Sequence, residues 1–168
     1  RPATDQMREA VFSSLGARVE GARVADLFAG TGAYGLEAMS RGATSGLFVE
    51  NSADALSCLR SNLQAVAKSC GKESTGDWSV LACKVYTLNA TQGLFDLIFV
   101  DPPYALIESK IQGIFSENIA PLVAPNGRVC LEMPGALEVA FPGWECLRRL
   151  GKSGKDKPSA GIYRRAGE

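Results

Sequence analysis

The sequence predicts an α/β domain of the doubly wound kind, built on a mainly parallel sheet. Three observations point there. Compact apolar runs at residues 23–29, 46–50, 95–100 and 127–132 read as buried strands. Stretches of helical spacing lie between them, the alternation that gives strand–helix–strand crossovers and a sheet covered on both faces. A glycine-rich turn follows the first strand directly, and in such sheets ligands sit beyond the carboxyl ends of the strands, where strand order reverses.

Met7, Val11 and Leu15, with Phe12 beside them, fall at helical spacing behind the turn-prone Arg1-Pro2-Ala3-Thr4-Asp5. A short amphipathic helix capped by Thr4 or Asp5 is expected there. The strand at 23–29 ends in Gly30-Thr31-Gly32-Ala33-Tyr34-Gly35, and a helix over 36–40 follows, closed by Gly42. After the strand at 46–50 comes a longer helix over residues 53–66, then a polar, Gly-containing surface loop over 68–77. Residues 78–83 form a third strand and 95–100 a fourth, and Ile111, Ile114, Phe115 and Ile119 repeat as a helix face. The strand at 127–132 is followed by two weaker ones, around 145–150 and 160–164, joined by a Gly/Lys/Ser-rich loop. With no internal repeat and no linker, residues 1–168 are expected to be one domain.

At 168 residues, such a domain buries roughly two-thirds of its unfolded surface. Hydrophobic residues at 46% and charged residues at 21% suit a soluble globular protein. No apolar run approaches the ~20 residues of a membrane span, and no signal-peptide pattern opens the chain. Arg1 rather than Met stands first, so an upstream segment is expected to have been processed or left out. The five cysteines (Cys58, Cys70, Cys83, Cys130, Cys146) are scattered, with no C-x-x-C pair. They are expected to be small hydrophobes in or near the core of a cytoplasmic protein, with Cys70 the exposed one. There is no histidine, which excludes His-based triads and His-ligated metals, and no metal is expected. The net charge of zero counts against a broad grip on a nucleic-acid backbone. The local balance differs, because Arg148, Arg149, Lys152, Lys155, Lys157, Arg164 and Arg165 face one acid, Asp156, near the end of the chain.

The chemistry concentrates in Asp101-Pro102-Pro103-Tyr104, which directly follows the strand at 95–100. The Asp101 carboxylate and the Pro102 carbonyl can both accept hydrogen bonds from a planar NH2 group, and neither proline offers an N–H to compete for the amine's lone pair. Tyr104 supplies a flat face on which a base can stack. That arrangement suits methyl transfer to the exocyclic amine of an unpaired or flipped-out base. The turn at Gly30, Gly32 and Gly35 lets backbone approach a ligand closely. Glu50, twenty residues after Gly30, ends the next strand, where an acid can take both ribose hydroxyls. The string also fits the dinucleotide fingerprint, so a nicotinamide cofactor competes. Asp26 helps to separate them. An acid there pairs the ammonium of S-adenosylmethionine, whereas it would repel a dinucleotide's pyrophosphate.

On these residues the chain resembles the RsmD-like family of bacterial small-subunit rRNA guanine-N2 methyltransferases. Arg1-Pro2-Ala3-Thr4-Asp5-Gln6-Met7-Arg8-Glu9-Ala10-Val11-Phe12 is similar to that family's opening. The stretch from Asp26 through Gly30-Thr31-Gly32 to Ala38 is similar to its cofactor turn, and the stretch from Phe95 to Tyr104 to its catalytic strand and loop. The resemblance implies a Rossmann-like S-adenosylmethionine-dependent methyltransferase fold. It places Thr4 and Arg8 near the methionine end of the cofactor, with Asp26, Phe28, Gly30, Thr31 and Gly32 around it and Glu50 and Asn51 at the ribose. Asp101, Pro102, Pro103 and Tyr104 would hold the target base. The implied partner is ribosomal RNA or an assembling small subunit, met by a monomer with no membrane contact. Three features depart from the family's pattern, one being the near-neutral charge together with an inserted-looking loop over 68–77, which leaves the substrate open. Lys84 follows the third strand, where a small polar or acidic residue usually approaches the adenine, and the basic β-hairpin that precedes the family's opening is missing. The alternatives are transfer to adenine N6 in DNA or RNA, and a non-catalytic RNA-binding scaffold of the same fold.

Overall fold

The computed structural model describes residues 2–168, with side chains from residue 4. Helix α1 (Pro2–Leu15) precedes β1 (Arg23–Leu27), α2 (Ala33–Ser40), β2 (Ser45–Glu50), α3 (Ala53–Ser69), β3 (Trp78–Ala82) and β4 (Phe95–Val100). Two short helices follow, α4 (Tyr104–Ser109) and α5 (Ile111–Ile114), the latter widening into a looser turn over Phe115–Ile119. Strands β5 (Val123–Pro134), β6 (Trp144–Gly151) and β7 (Pro158–Arg165) complete the sheet. Its order is β3-β2-β1-β4-β5-β7-β6. The first five strands run parallel, and β7 lies antiparallel between β5 and β6. The doubly wound, mainly parallel α/β fold is therefore the one expected from sequence.

The unbroken apolar runs have a direct cause: both faces of the sheet are covered. Val24, Leu97, Phe99 and Cys130 pack on one side with Met7, Val11 and Phe12 of α1, Tyr34 of α2 and Leu59 of α3. Ala25, Leu27, Ile98, Val100 and Leu131 pack on the other with Ile107, Ile111, Phe115 and Ile119. Phe12, Tyr34 and Phe99 form a ring cluster with centroids 5.1 to 6.1 Å apart. Each such aromatic pair adds about 0.5–1.5 kcal/mol beyond its buried area. Among the described residues no helix is long and apolar enough to cross a membrane.

Several boundaries differ from expectation. Helix α1 already runs at Pro2, so Thr4 and Asp5 lie inside its first turn rather than ahead of it. A proline tolerates that position because the first N–H groups of a helix lack internal partners anyway. Asp5 pairs instead with Arg8 at 3.1 Å. Of the opening motif, Arg1 and the side chains of Pro2 and Ala3 lie outside the described residues. Strand β1 stops two residues early, because Phe28 turns to φ 57°, and α2 begins at Ala33 rather than at residue 36. The helix starting at Tyr104 was not expected. Of the cysteines only Cys130 is buried, while Cys58, Cys70 and Cys146 are exposed; the first two sit at the outer face and end of amphipathic α3.

The basic segment near the end of the chain also sorts differently from a uniform solvated stretch. Arg149 donates to the carbonyls of Pro134 and Leu137, and Arg165 to those of Ala120 and Val123. Arg164 is paired with Glu145. Lys152, Lys155 and Lys157 remain exposed on the β6–β7 turn. That turn is pinned to the carboxyl end of β5, where Gly135 donates to the Lys157 carbonyl at 2.9 Å.

Candidate active site at the carboxyl edge

Strand β1 pairs with β2 on one side and β4 on the other, so the chain leaves it in opposite directions and opens a crevice at the carboxyl ends of β1 and β4. Every sequence-predicted site residue in the described side chains comes from an element that ends or begins at this edge. The register explains which side chains converge. Asp26 lies opposite Phe99, which lies opposite Cys130. Alternation then carries Asp26, Asp101 and Glu132 to the same face as those partners, the side covered by α1 and α2.

The β1–α2 turn is built by strain and closure. Phe28, Gly30 and Gly32 all have positive φ, at 57°, 58° and 93°. For Phe28 that conformation costs about 1–2 kcal/mol, and strained residues of this kind collect at binding sites. Gly35 permits the turn to seat: a Cβ there would run into the Phe48 ring. Its N–H donates to the buried Asp26 carboxyl at 2.9 Å. Burial, and then the nearby Asp101, Glu50 and Glu132, push the Asp26 pKa up to about 8 against that hydrogen bond.

Glu50 closes the other side. One carboxylate oxygen accepts from Gly30 N–H at 2.8 Å, and the other from Asn51 and Ser52 N–H at 2.9 and 2.8 Å. A carboxylate has about four lone-pair positions, and three are taken. Both hydroxyls of a ribose can therefore bind Glu50 only if one backbone bond, such as that from Gly30, gives way. Beside Glu50 is a cavity of about 160 Å³, lined by Phe28, Asn51, Lys84, Tyr86, Pro103 and Leu106 among others. That is smaller than the ~300–1,000 Å³ of a typical small-ligand pocket, room for part of a nucleoside rather than the whole. Lys84 sits at its exposed rim with its ammonium 5.4 Å from the Tyr86 ring centroid. The Tyr86 partner raises the Lys84 pKa.

The Asp101-Pro102-Pro103-Tyr104 loop leaves β4 next to this cavity. Asp101 N–H reaches the Leu27 carbonyl at 3.5 Å, tying the loop to the end of β1. Pro102 is buried, Pro103 lines the cavity, and Tyr104 opens α4 with half its surface exposed. Arg8 reaches across from α1 to Glu37 at 3.9 Å and to Asp5, and its charge is felt at Glu132. Thr4 is half-buried on the same helix. Thr31 contributes a carbonyl that holds Asn62 at 3.1 Å, while its own residue is exposed.

Sequence reasoning did not single out Glu132. Its carboxyl stands within hydrogen-bonding reach of Asp101, and burial, followed by the Asp101 charge, raises its pKa to about 7. The Tyr34 hydroxyl is buried beside it, without a hydrogen bond of standard geometry. Nothing local marks Glu132: it reads as the last residue of an apolar strand, and its partner comes from the neighbouring strand's register. Asp26, Glu50, Asp101 and Glu132 make the crevice acidic, which favours a cationic ligand.

The raised carboxyl pKa values set the pH dependence of stability. Folded Asp26 keeps its proton up to about pH 8, whereas an unfolded aspartic acid loses it near 4. Between those values the folded state binds more protons, so stability falls as pH rises, by up to ~1.4 kcal/mol per pH unit. Urea titrations of the unliganded protein at pH 5 and pH 8 will show this loss. Asp26→Asn, which keeps an acceptor for Gly35, will shrink the difference. An equal loss in the variant would remove Asp26 as its source.

The family described as conserved hypothetical protein 95 matches residues 1–157. The ribosomal RNA small subunit methyltransferase D of Escherichia coli K12 is 33% identical over 128 residues, covering 76% of this chain and 58% of that protein. Its namesake in Haemophilus influenzae is 31% identical over 151 residues, covering 88% of this chain and 76% of that one. The chain spans about three-fifths of the length of the first relatives it matches. Among solved structures, an Escherichia coli protein described as a candidate methyltransferase superposes with a TM-score of 0.78 at 24% identity, covering 100% of this chain and 90% of that chain. The sheet and its helices are thus those of the Rossmann-like methyltransferase fold.

Proposed function

The chain belongs to the RsmD family, and on that premise we propose that it transfers a methyl group from S-adenosylmethionine to the exocyclic N2 amine of a guanine in small-subunit ribosomal RNA. The observation that carries the reading is the shared wall. Pro103, from the loop suited to grip an amine, lines the same cavity as Phe28, Glu50 and Asn51, from the turns suited to hold a nucleoside.

The residues fit the cofactor. The cavity offers ring and proline surface for an adenine, Glu50 stands at its edge, and the acidic crevice beyond suits a ligand bearing an ammonium and a sulfonium. When bound, S-adenosylmethionine supplies a methyl group already activated for attack. The chain's own residues then do three things. Asp26, Thr4 and Arg8 surround the methionine end. Asp101 and the Pro102 carbonyl accept the two N–H bonds of the target amine, raising electron density on a nitrogen whose lone pair is otherwise drawn into the ring. Tyr104 and the rigid prolines hold the base in reach of the methyl group, where positioning supplies much of the acceleration. The base must be unpaired or flipped to enter. The chain works in this reading as one catalytic domain and as a monomer. Lys152, Lys155 and Lys157 overhang the same edge of the sheet and meet the phosphates that flank the target base.

The test is transfer of a labelled methyl group to small-subunit RNA, or to assembling subunits, that lack the modification. Nucleoside analysis of the product should give N2-methylguanine; N6-methyladenine would replace the assigned base, and no product with any substrate would remove the activity. Asp101→Ala should lower the transfer rate by about 10²–10³-fold and leave cofactor affinity unchanged, whereas equal losses in both would sink its role at the amine. Changing Lys152, Lys155 and Lys157 together to Ala should weaken RNA binding and lower the slope of log affinity against log salt by about 2. An unchanged slope would put the phosphates elsewhere.

A further inference from the structure

Two carboxyl groups can hydrogen-bond to each other only when one of them carries a proton. Asp101 and Glu132 stand within reach of such a bond. Their neighbourhood is fixed by the sheet: β4 and β5 pair Val100 with Leu131, so the next residue of each strand stands beside the other at the carboxyl edge. Glu132 lies between Asp101 on one side and Ala160 of β7 on the other. The Tyr34 hydroxyl faces it from α2 and Arg8 from α1, and the Asp26 carboxyl is close enough on β1 to feel its charge.

From this arrangement we propose that Glu132, in its protonated form, is the positioning residue for Asp101. It donates its proton to one oxygen of the Asp101 carboxylate, and the other oxygen accepts from the target amine. The inference rests on the methyl-transfer reading for its consequence in catalysis, but the shared proton is a property of the protein alone.

The alternatives for the proton are unequal. Asp101 is exposed and Glu132 largely enclosed, so the buried partner is the better place for a neutral acid. Burial and the Asp101 charge both raise the Glu132 pKa, to about 7, while the Tyr34 hydroxyl and Arg8 oppose the rise. Once Glu132 loses its proton, two adjacent carboxylates repel and Asp101 loses the donor that orients it. Transfer is then expected to weaken as pH rises above neutral, opposite in sign to what a lone general base would give.

Two measurements decide the matter. The first uses the unliganded protein, with carbon-13 NMR following its side-chain carboxyls through pH 5–9. A Glu132 resonance that titrates near neutral pH, and moves to lower pH in Asp101→Asn, is the expected result; a Glu132 that titrates in the ordinary glutamate range would overturn the shared proton. The second is the pH profile of methyl transfer. Glu132→Gln keeps a permanent donor to Asp101, so the fall above neutral pH should vanish. Glu132→Ala removes the donor and should slow transfer about 100-fold, the scale of a misplaced catalytic group, with cofactor affinity unchanged. Equal profiles in wild type and Glu132→Gln, or equal rates in the Gln and Ala variants, would contradict the positioning role. A wild type without transfer activity would instead count against the proposed function, and the NMR titration would still settle the pair.

Discussion

The in-register parallel pairing of β1, β4 and β5 is the constraint on which the rest depends. It sets Asp26, Phe99 and Cys130 abreast and so delivers three carboxyls to one face of one edge. A slip of one residue in either pairing would turn that strand's acid to the opposite face. The register is in turn held by the apolar residues between the acids, because Val24, Leu97, Phe99 and Cys130 fill one core and Ala25, Leu27, Ile98, Val100 and Leu131 the other. Hydrophobic packing thus fixes the electrostatics.

The acids themselves work against folding. A buried carboxyl is stable in the absence of a cation mainly by keeping its proton, and both Asp26 and Glu132 are raised toward neutrality in that way. Such destabilised groups gathered in a cleft mark a place kept for binding rather than for stability. Phe28 adds backbone strain at the same edge. A ligand that brings positive charge would relieve Asp26, which ties part of the cost in the unliganded fold to affinity for a cationic nucleoside.

How much was legible depends on how local the signal is. The Asp101-Pro102-Pro103-Tyr104 loop and the glycine turn could be read directly, because proline and glycine fix backbone geometry where they stand. Strand positions were readable from continuous apolar runs. The early start of α1 was not, since Thr4 and Asp5 serve as well inside a first turn as at a cap. The reversal at Phe28 was hidden because a phenylalanine reads as strand. Arg149 and Arg165 looked like surface charge, yet they bind carbonyls brought near by β5 and its preceding turn. Glu132 was invisible for the same reason: its importance lies in a neighbour 31 residues away, 132 minus 101, which only the sheet supplies.

Whether the carboxyl edge holds a cationic nucleoside is decided by calorimetric titration of the unliganded protein with S-adenosylmethionine, with NADH as the comparison. Saturable binding of S-adenosylmethionine alone is expected, accompanied by release of the Asp26 proton as the cation displaces it. Binding of NADH in its place, or binding of neither, would contradict a cationic-nucleoside site there.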